Sequence, residues 1–237
     1  MESSSKLTQF ATPAAVLLGG AFIAGALIWN NAHPVSQPLP AGNQPQPAVA
    51  ADVSKVKTAG EPFIGSPNAP VTMAYWYDYQ CPFCQRNEEQ TMPQILKDYV
   101  DTGKLKIVFK DYQFLGPDSQ TLGKFSRAVW EVAPDKFYQW HKAVYDNQGQ
   151  ENTGWATDAK IASITTSVLG ASDTAKVAAL VKSNGDEYQK EMDADKTEGT
   201  AMGINGTPGA IIGKQLISGA QPYAVFKQVI DLTLAGK

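Results

Sequence analysis

The sequence predicts an α/β domain in which a β-α-β half and a β-β-α half are separated by a block of helices. Three observations carry that expectation. A β-branched and aromatic run, Val71 to Tyr77, hands over to Cys81-Pro82-Phe83-Cys84, and a helical pattern follows. Two short apolar runs, Ala210-Ile211-Ile212 and Gln215-Leu216-Ile217, come just after Thr207-Pro208 and ahead of a last helical stretch. Between the two groups, from about residue 119 to 205, the pattern is helical.

The elements follow in order. Val53 to Ile64 holds a first short strand, and Gly65-Ser66-Pro67-Asn68-Ala69-Pro70 is a turn cluster. Val71 to Tyr77 reads as a buried strand. A helix is expected from about Pro82 to Asp101, with Met92, Ile95, Leu96 and Tyr99 on one face. Pro93 should interrupt it, because its ring displaces the bond to the carbonyl of Glu89. Leu105 to Phe109 is the next strand. The helical block is divided by Pro134, by the polar stretch Asn147 to Thr153, and by breaks near Gly170 and Gly185. Gly213-Lys214 joins the two short strands, and the closing helix spans about Gln221 to Leu234.

Of 237 residues, 43% are hydrophobic and 18% charged, enough for one ordinary domain with a sizeable core. The net charge of −3 and the lack of a Lys/Arg block argue against a nucleic-acid partner. Residues 10–29, Phe10 to Trp29, carry no charge and match the length of about 20 apolar residues that crosses a bilayer. A cleaved leader has a shorter apolar region with a small-residue site just behind it. Here the nearest such site, Ala48-Val49-Ala50, lies far downstream, so an uncleaved signal anchor is expected. Lys6 and the α-amino group place residues 1–9 on the cytoplasmic side, with Glu2 working against them. Residues 30–51 are rich in Pro, Gln and Ala and read as an extended linker. The domain, residues 52–237, would then stand outside the membrane, where disulfides form.

The two cysteines are the only ones in the chain, so no structural disulfide competes with them. Pro82 suits the first helical position, where a missing N–H is harmless. Cys81 then falls at the N-cap, facing free N–H groups and the positive end of the helix dipole. Both favour thiolate, the nucleophile of disulfide exchange. Cys84 lies one turn on, within reach of a small disulfide ring and more buried. A zinc site needs about four ligands; only His33 and His141 are left to join, and His33 lies in the linker. A purely structural staple closing so short a loop would restrict the unfolded chain little. The pair reads as a redox-active dithiol, with no cofactor beyond the Cys81–Cys84 disulfide itself and no metal. His141, in Phe137-Tyr138-Gln139-Trp140-His141, reads as part of an insertion helix without a catalytic role.

The element order is a thioredoxin-like fold with a helical insertion between its halves. In that arrangement the loop before the strand Ala210 to Ile212 comes back to face Cys81, which makes Thr207-Pro208 a candidate cis-proline. The backbone of Thr207 is then placed to pair with an extended substrate strand. Asp78-Tyr79-Gln80-Cys81-Pro82-Phe83-Cys84, Gly206-Thr207-Pro208 and Ile217-Ser218-Gly219-Ala220-Gln221-Pro222 with its closing helix resemble the DsbA-like thiol–disulfide oxidoreductases, in particular their membrane-anchored bacterial branch. The resemblance covers about residues 55 to 237. It implies that Cys81 attacks, that Cys84 resolves, and that cis-Pro208 shapes a peptide site. It also implies a bacterial envelope setting, substrate proteins that carry cysteines, and re-oxidation by a membrane quinone-linked partner.

One position departs from that family, which often has a buried glutamate six residues before the first cysteine. Here it is Tyr75, a poor base near neutrality with a reference pKa of about 10. Proton handling at Cys84 is then left to Tyr75, to water or to Asp78; Asp78 reads equally as a turn acid capping the first helical turn. Phe83 should reach solvent and meet apolar substrate segments. Because Pro82-Phe83 brings no charge, the helix terminus is expected to do most of the work on the thiolate, and the protein to be less oxidising than relatives with histidine in the dipeptide. The expected activity is extracytoplasmic disulfide exchange in the oxidase direction. Its alternatives are a reductase or isomerase, or a membrane-tethered chaperone-like binding module.

Overall fold

The computed structural model describes residues 51–236. Its sheet has five strands: β1 (Phe63–Ile64), β2 (Val71–Tyr77), β3 (Leu105–Asp111), β4 (Gly209–Ile212) and β5 (Gln215–Ser218). Their order across the sheet is β1-β3-β2-β4-β5. β2 and β3 run parallel, and the other neighbouring pairs are antiparallel. A parallel pair needs a crossover, and the helices that follow the dithiol provide it. β2 is therefore central, and its carboxyl end delivers the cysteines.

Alternation along β2 splits the core. Met73, Tyr75 and Tyr77 point to the face that also holds both cysteines, and Ala74 and Trp76 point to a smaller cluster with Ile204 and Ile211. The larger face is covered by α1 (Pro82–Gln90), the one-turn α2 (Met92–Ile95) and α7 (Tyr223–Leu234), and the insertion helices pack against it. Those helices are α3 (Pro117–Val132), α4 (Phe137–Asp146), α5 (Asp158–Leu169) and the start of α6 (Ala171–Ala201). The far end of α6 crosses to the other face. There Trp76 Nε1 donates to the carbonyl of Asp195 at 3.0 Å. A Cβ at Gly199 would stand 2.6 Å from that nitrogen, so only glycine lets the helix approach this closely.

The element types follow the sequence expectations, with differences in the helix after the dithiol and in α6. The helix after the dithiol is interrupted at Thr91, two residues before Pro93, and its last turn, Leu96–Val100, is a wide π-turn. The first short strand expected within Val53 to Ile64 is the two-residue edge strand β1, and a 3₁₀ turn, Val53–Lys55, precedes it. The break expected near Gly185 is absent: α6 is one helix of 31 residues. A lone glycine weakens a helix by only about 1 kcal/mol, and the packing of α6 along its length outweighs that.

β3 extends through Lys110 and Asp111, both buried. Lys110 pairs with Asp195, with Glu198 at 3.1 Å and with Glu61 at 3.3 Å. Arg127 on α3 meets Asp111 at 2.7 Å, Glu61 at 2.9 Å and Asp195 at 2.6 Å. This buried network ties β3, α3, α6 and the N-terminal segment together. The expected anchor (residues 10–29) and nearly all of the linker lie outside the described residues. Among the described residues no helix is long and apolar enough to cross a membrane.

Candidate active site

Cys81 is the N-cap of α1 and Pro82 is its first helical residue. The turn that leads into them, Asp78 to Gln80, is held from several sides. The Asp78 carboxylate accepts from Gln80 N at 2.8 Å, Phe114 N at 2.8 Å, Leu115 N at 3.0 Å and Ser119 Oγ at 2.5 Å. Its backbone carbonyl accepts from Cys81 N at 3.1 Å and from the Tyr145 hydroxyl at 3.0 Å. Gln148 donates to the carbonyl of Tyr79 at 2.7 Å and to that of Cys81 at 3.3 Å. The helical insertion thus clamps the approach to the dithiol. Burial raises Asp78 above the ordinary carboxylate range, and its four donors counter that. Every one of those donors fixes a loop, so the geometry matches a turn-organising acid rather than a group free to carry protons.

The Thr207–Pro208 bond is cis, and the Thr207 carbonyl lies 3.3 Å from Cys81 Sγ, which donates to it as a thiol. The structure thus brings together Cys81, Cys84, Thr207 and Pro208. Thr207 Oγ1 is buried with no hydrogen-bond partner among the described residues. Both cysteines are free thiols; Cys84 is wholly buried and Cys81 is 4% exposed. The Cys81 thiol is lowered to about 6, chiefly by a hydrogen bond from Cys84. Burial opposes this, and the Thr207 side chain and the backbone N–H groups of Cys84 and Phe83 add to it. The helix terminus therefore contributes, but less than the neighbouring thiol, contrary to the sequence expectation. Burial, and then the hydrogen bond to Cys81 and the charge on it, push Cys84 well above its ordinary value.

Phe83 is 53% exposed beside the pair, with the Arg86 guanidinium 5.1 Å from its ring centre. Tyr75 lies on the opposite, buried side. Its hydroxyl accepts from Asn87 Nδ2 at 3.1 Å, and burial, reinforced by Cys84, holds it well above the ordinary phenol range. A phenol in that state does not take a proton from Cys84 near neutrality. Two residues that sequence reasoning left aside also sit here, Glu88 and His141, both buried. Glu88 falls four residues after Cys84, which helical spacing alone would have put on the same face. For His141 no local signal existed, because the contacts that matter come from distant elements.

The thioredoxin family model matches residues 57–232, and the chain belongs to that family. Within it, the fold and the dithiol place the chain among the DsbA-like thiol–disulfide oxidoreductases. Disulfide bond formation protein D of Bacillus subtilis is 28% identical over 181 residues, covering 75% of this chain and 79% of that protein. The crystal structure of oxidised BdbD from Bacillus subtilis superposes with a TM-score of 0.68 at 25% identity, covering 76% of this chain and 95% of that one. The thiol–disulfide exchange protein alpha-DsbA2 from Wolbachia pipientis shares the fold, with a TM-score of 0.67 at 24% identity over 78% of this chain and 95% of its own.

Proposed function

We propose that this protein oxidises cysteine pairs in secreted or envelope proteins through the Cys81–Cys84 disulfide. A substrate thiolate attacks Cys81 Sγ, the S–S bond breaks, and Cys84 leaves and takes a proton. A second substrate thiolate then attacks the substrate sulfur of the mixed disulfide. Cys81 leaves as thiolate, and two electrons have passed to the enzyme. A good leaving group is a stabilised thiolate, and the placement of Cys81 at the N-cap of α1 beside Cys84, which lowers it to about 6, is the observation that carries the oxidase direction. The likeness to disulfide bond formation protein D of Bacillus subtilis supports the same direction. In this reading residues 10–29 anchor the protein in the cell membrane, the domain works on the outer side, and a membrane quinone-linked partner re-oxidises it. Thr207, Pro208 and Phe83 form the surface that receives the substrate segment.

The deciding experiment is the equilibrium of the Cys81–Cys84 couple against glutathione. A couple more oxidising than glutathione supports the oxidase, and a strongly reducing one transfers the reading to a reductase. Trapping with Cys84→Ser should accumulate mixed disulfides through Cys81, and a pure holdase would give none. N-terminal sequencing of the mature protein tests the anchor; a start at Ala51 means release from the membrane.

A further inference from the structure

Glu88 and His141 meet in the apolar interior behind the dithiol. Glu88 Oε1 and His141 Nε2 lie 3.5 Å apart, and neither has a hydrogen-bond partner among the described residues. Their remaining polar atoms are committed. Glu88 Oε2 accepts from the Tyr138 hydroxyl at 2.9 Å, and His141 Nδ1 lies 3.0 Å from the Tyr79 hydroxyl oxygen. Tyr79 spends its one hydroxyl proton on Ser126 Oγ at 3.0 Å. His141 Nδ1 must therefore be the donor to Tyr79, and the neutral ring presents a bare lone pair at Nε2. Two acceptors, one of them a carboxylate oxygen, then face each other in a buried site. That arrangement is unfavourable without a proton and becomes a charge-assisted hydrogen bond with one.

The structure assigns Glu88 and His141 the role of holding, between Oε1 and Nε2, the proton that Cys84 takes up when the Cys81–Cys84 disulfide opens and gives back when it closes. This rests on reading the cysteine pair as the exchange site. Glu88 lies one helical turn after Cys84 on the buried face of α1, and side chains in a helix lean toward the N-terminal turn. Tyr75 stands within electrostatic reach of both. The other titratable groups packed around the pair are Tyr77 on β2, Tyr79 in the following turn, and Tyr138 and Tyr145 on α4. Asp111, to which Tyr77 donates at 3.3 Å, lies beyond them. Burial raises all five phenols, so none trades a proton near neutrality. Glu88 and His141 are the groups left to do it. As the S–S bond breaks, the departing Cys84 sulfur receives the shared proton and the pair is left as carboxylate and neutral imidazole. When the disulfide re-forms, the Cys84 thiol returns it. The proton shuttles inside the protein, and the two protons of the oxidised substrate thiols leave through solvent.

Glu88→Gln tests this with little change of shape. Its amide can still accept from Tyr138 and can offer His141 Nε2 a fixed N–H, which cannot be handed on. Opening of the disulfide by a thiol peptide in single turnover, corrected for peptide ionisation, should be nearly independent of pH in the wild type. In Glu88→Gln it should slow by about tenfold or more near pH 7 and recover in acid, where solvent supplies the proton; general acids typically contribute about 10²–10⁴-fold. Equal rates with equal pH profiles overturn the inference. A second readout uses the unaltered protein: the chain has two histidines, so the His141 ring nitrogens are readily assigned by NMR. The Nε2 shift must differ between oxidised and reduced forms, and no difference overturns the inference even if the variant fails to fold. A wild type that does not exchange with the peptide at all would instead sink the oxidoreductase reading.

Discussion

Thr207 meets the dithiol with two oxygen atoms of opposite use. Its carbonyl accepts the Cys81 S–H, and its buried hydroxyl, which has no hydrogen-bond partner among the described residues, helps to lower the Cys81 thiol. The hydroxyl stabilises the thiolate, so Thr207→Val should raise the Cys81 midpoint from about 6 toward the free-thiol value. A hydrogen bond to a charged group contributes about 1.5–3 kcal/mol, so a rise of about one to two pKa units is expected. The pH dependence of the Cys81 alkylation rate measures it, and an unchanged midpoint would return the hydroxyl to plain packing. These contacts were legible from the chain to different depths. Cys81, Pro82 and Cys84 could be placed by local rules, because an N-cap and a first-turn proline are local facts. The pairing with Thr207 needed the element order, since 126 residues separate the partners. The Glu88–His141 contact needed three-dimensional packing of α1 on α4.

Single elements differ from their expected form where tertiary packing overrules a local signal. Gly185 looks like a breaker, yet α6 runs through it, and a Cβ there would meet nothing within 4 Å. Gly185→Ala should therefore stabilise the domain by about 0.5–1 kcal/mol, because alanine loses less backbone freedom in a helix. Denaturant unfolding should show a higher midpoint with an unchanged slope; a lower midpoint would mean that the glycine is needed for packing. Lys110 and Asp111 gave the opposite illusion. At the end of an apolar strand two charges look like the start of a solvated turn, and the strand was expected to stop at Phe109. They are buried because Glu61, Arg127 and Asp195 arrive from distant parts of the chain to neutralise them. Arg127→Met leaves Asp111 without its cation and takes one cation from Glu61 and from Asp195, which keep Lys110, and should cost about 3–5 kcal/mol, as removal of one member of a buried ion network does. A loss under about 1 kcal/mol would show that the carboxylates are hydrated or protonated instead.

For the whole molecule the direction of electron flow is a question of which redox form is the more stable. Closing a ring as short as Cys81–Cys84 constrains the unfolded chain little, so the disulfide adds little entropic stability. The reduced fold gains from the thiolate. Cys81 sits at about 6 when folded and near 9 when unfolded, so its contribution is fully present above about pH 9 and is lost as pH falls through 6. Cys84 is shifted the other way, and its cost appears only where an unfolded thiol would ionise, near and above pH 9. Between pH 6 and 8 Cys81 therefore sets the trend of the two cysteines, while the oxidised fold has no thiol to titrate. Reduced protein should resist urea better than oxidised protein at pH 8, and the gap should widen by roughly 1–2 kcal/mol from pH 6 to 8 after allowance for solvent screening. The stability difference is linked to the potential: each 1.4 kcal/mol in favour of the reduced form makes the couple about 30 mV more oxidising. Unfolding curves of both forms at the two pH values, followed by the fluorescence of the five tryptophans, give the answer without a substrate. If the oxidised form is the more stable at pH 8, Cys81 is not the leaving group that an oxidase needs, and the protein runs as a reductase.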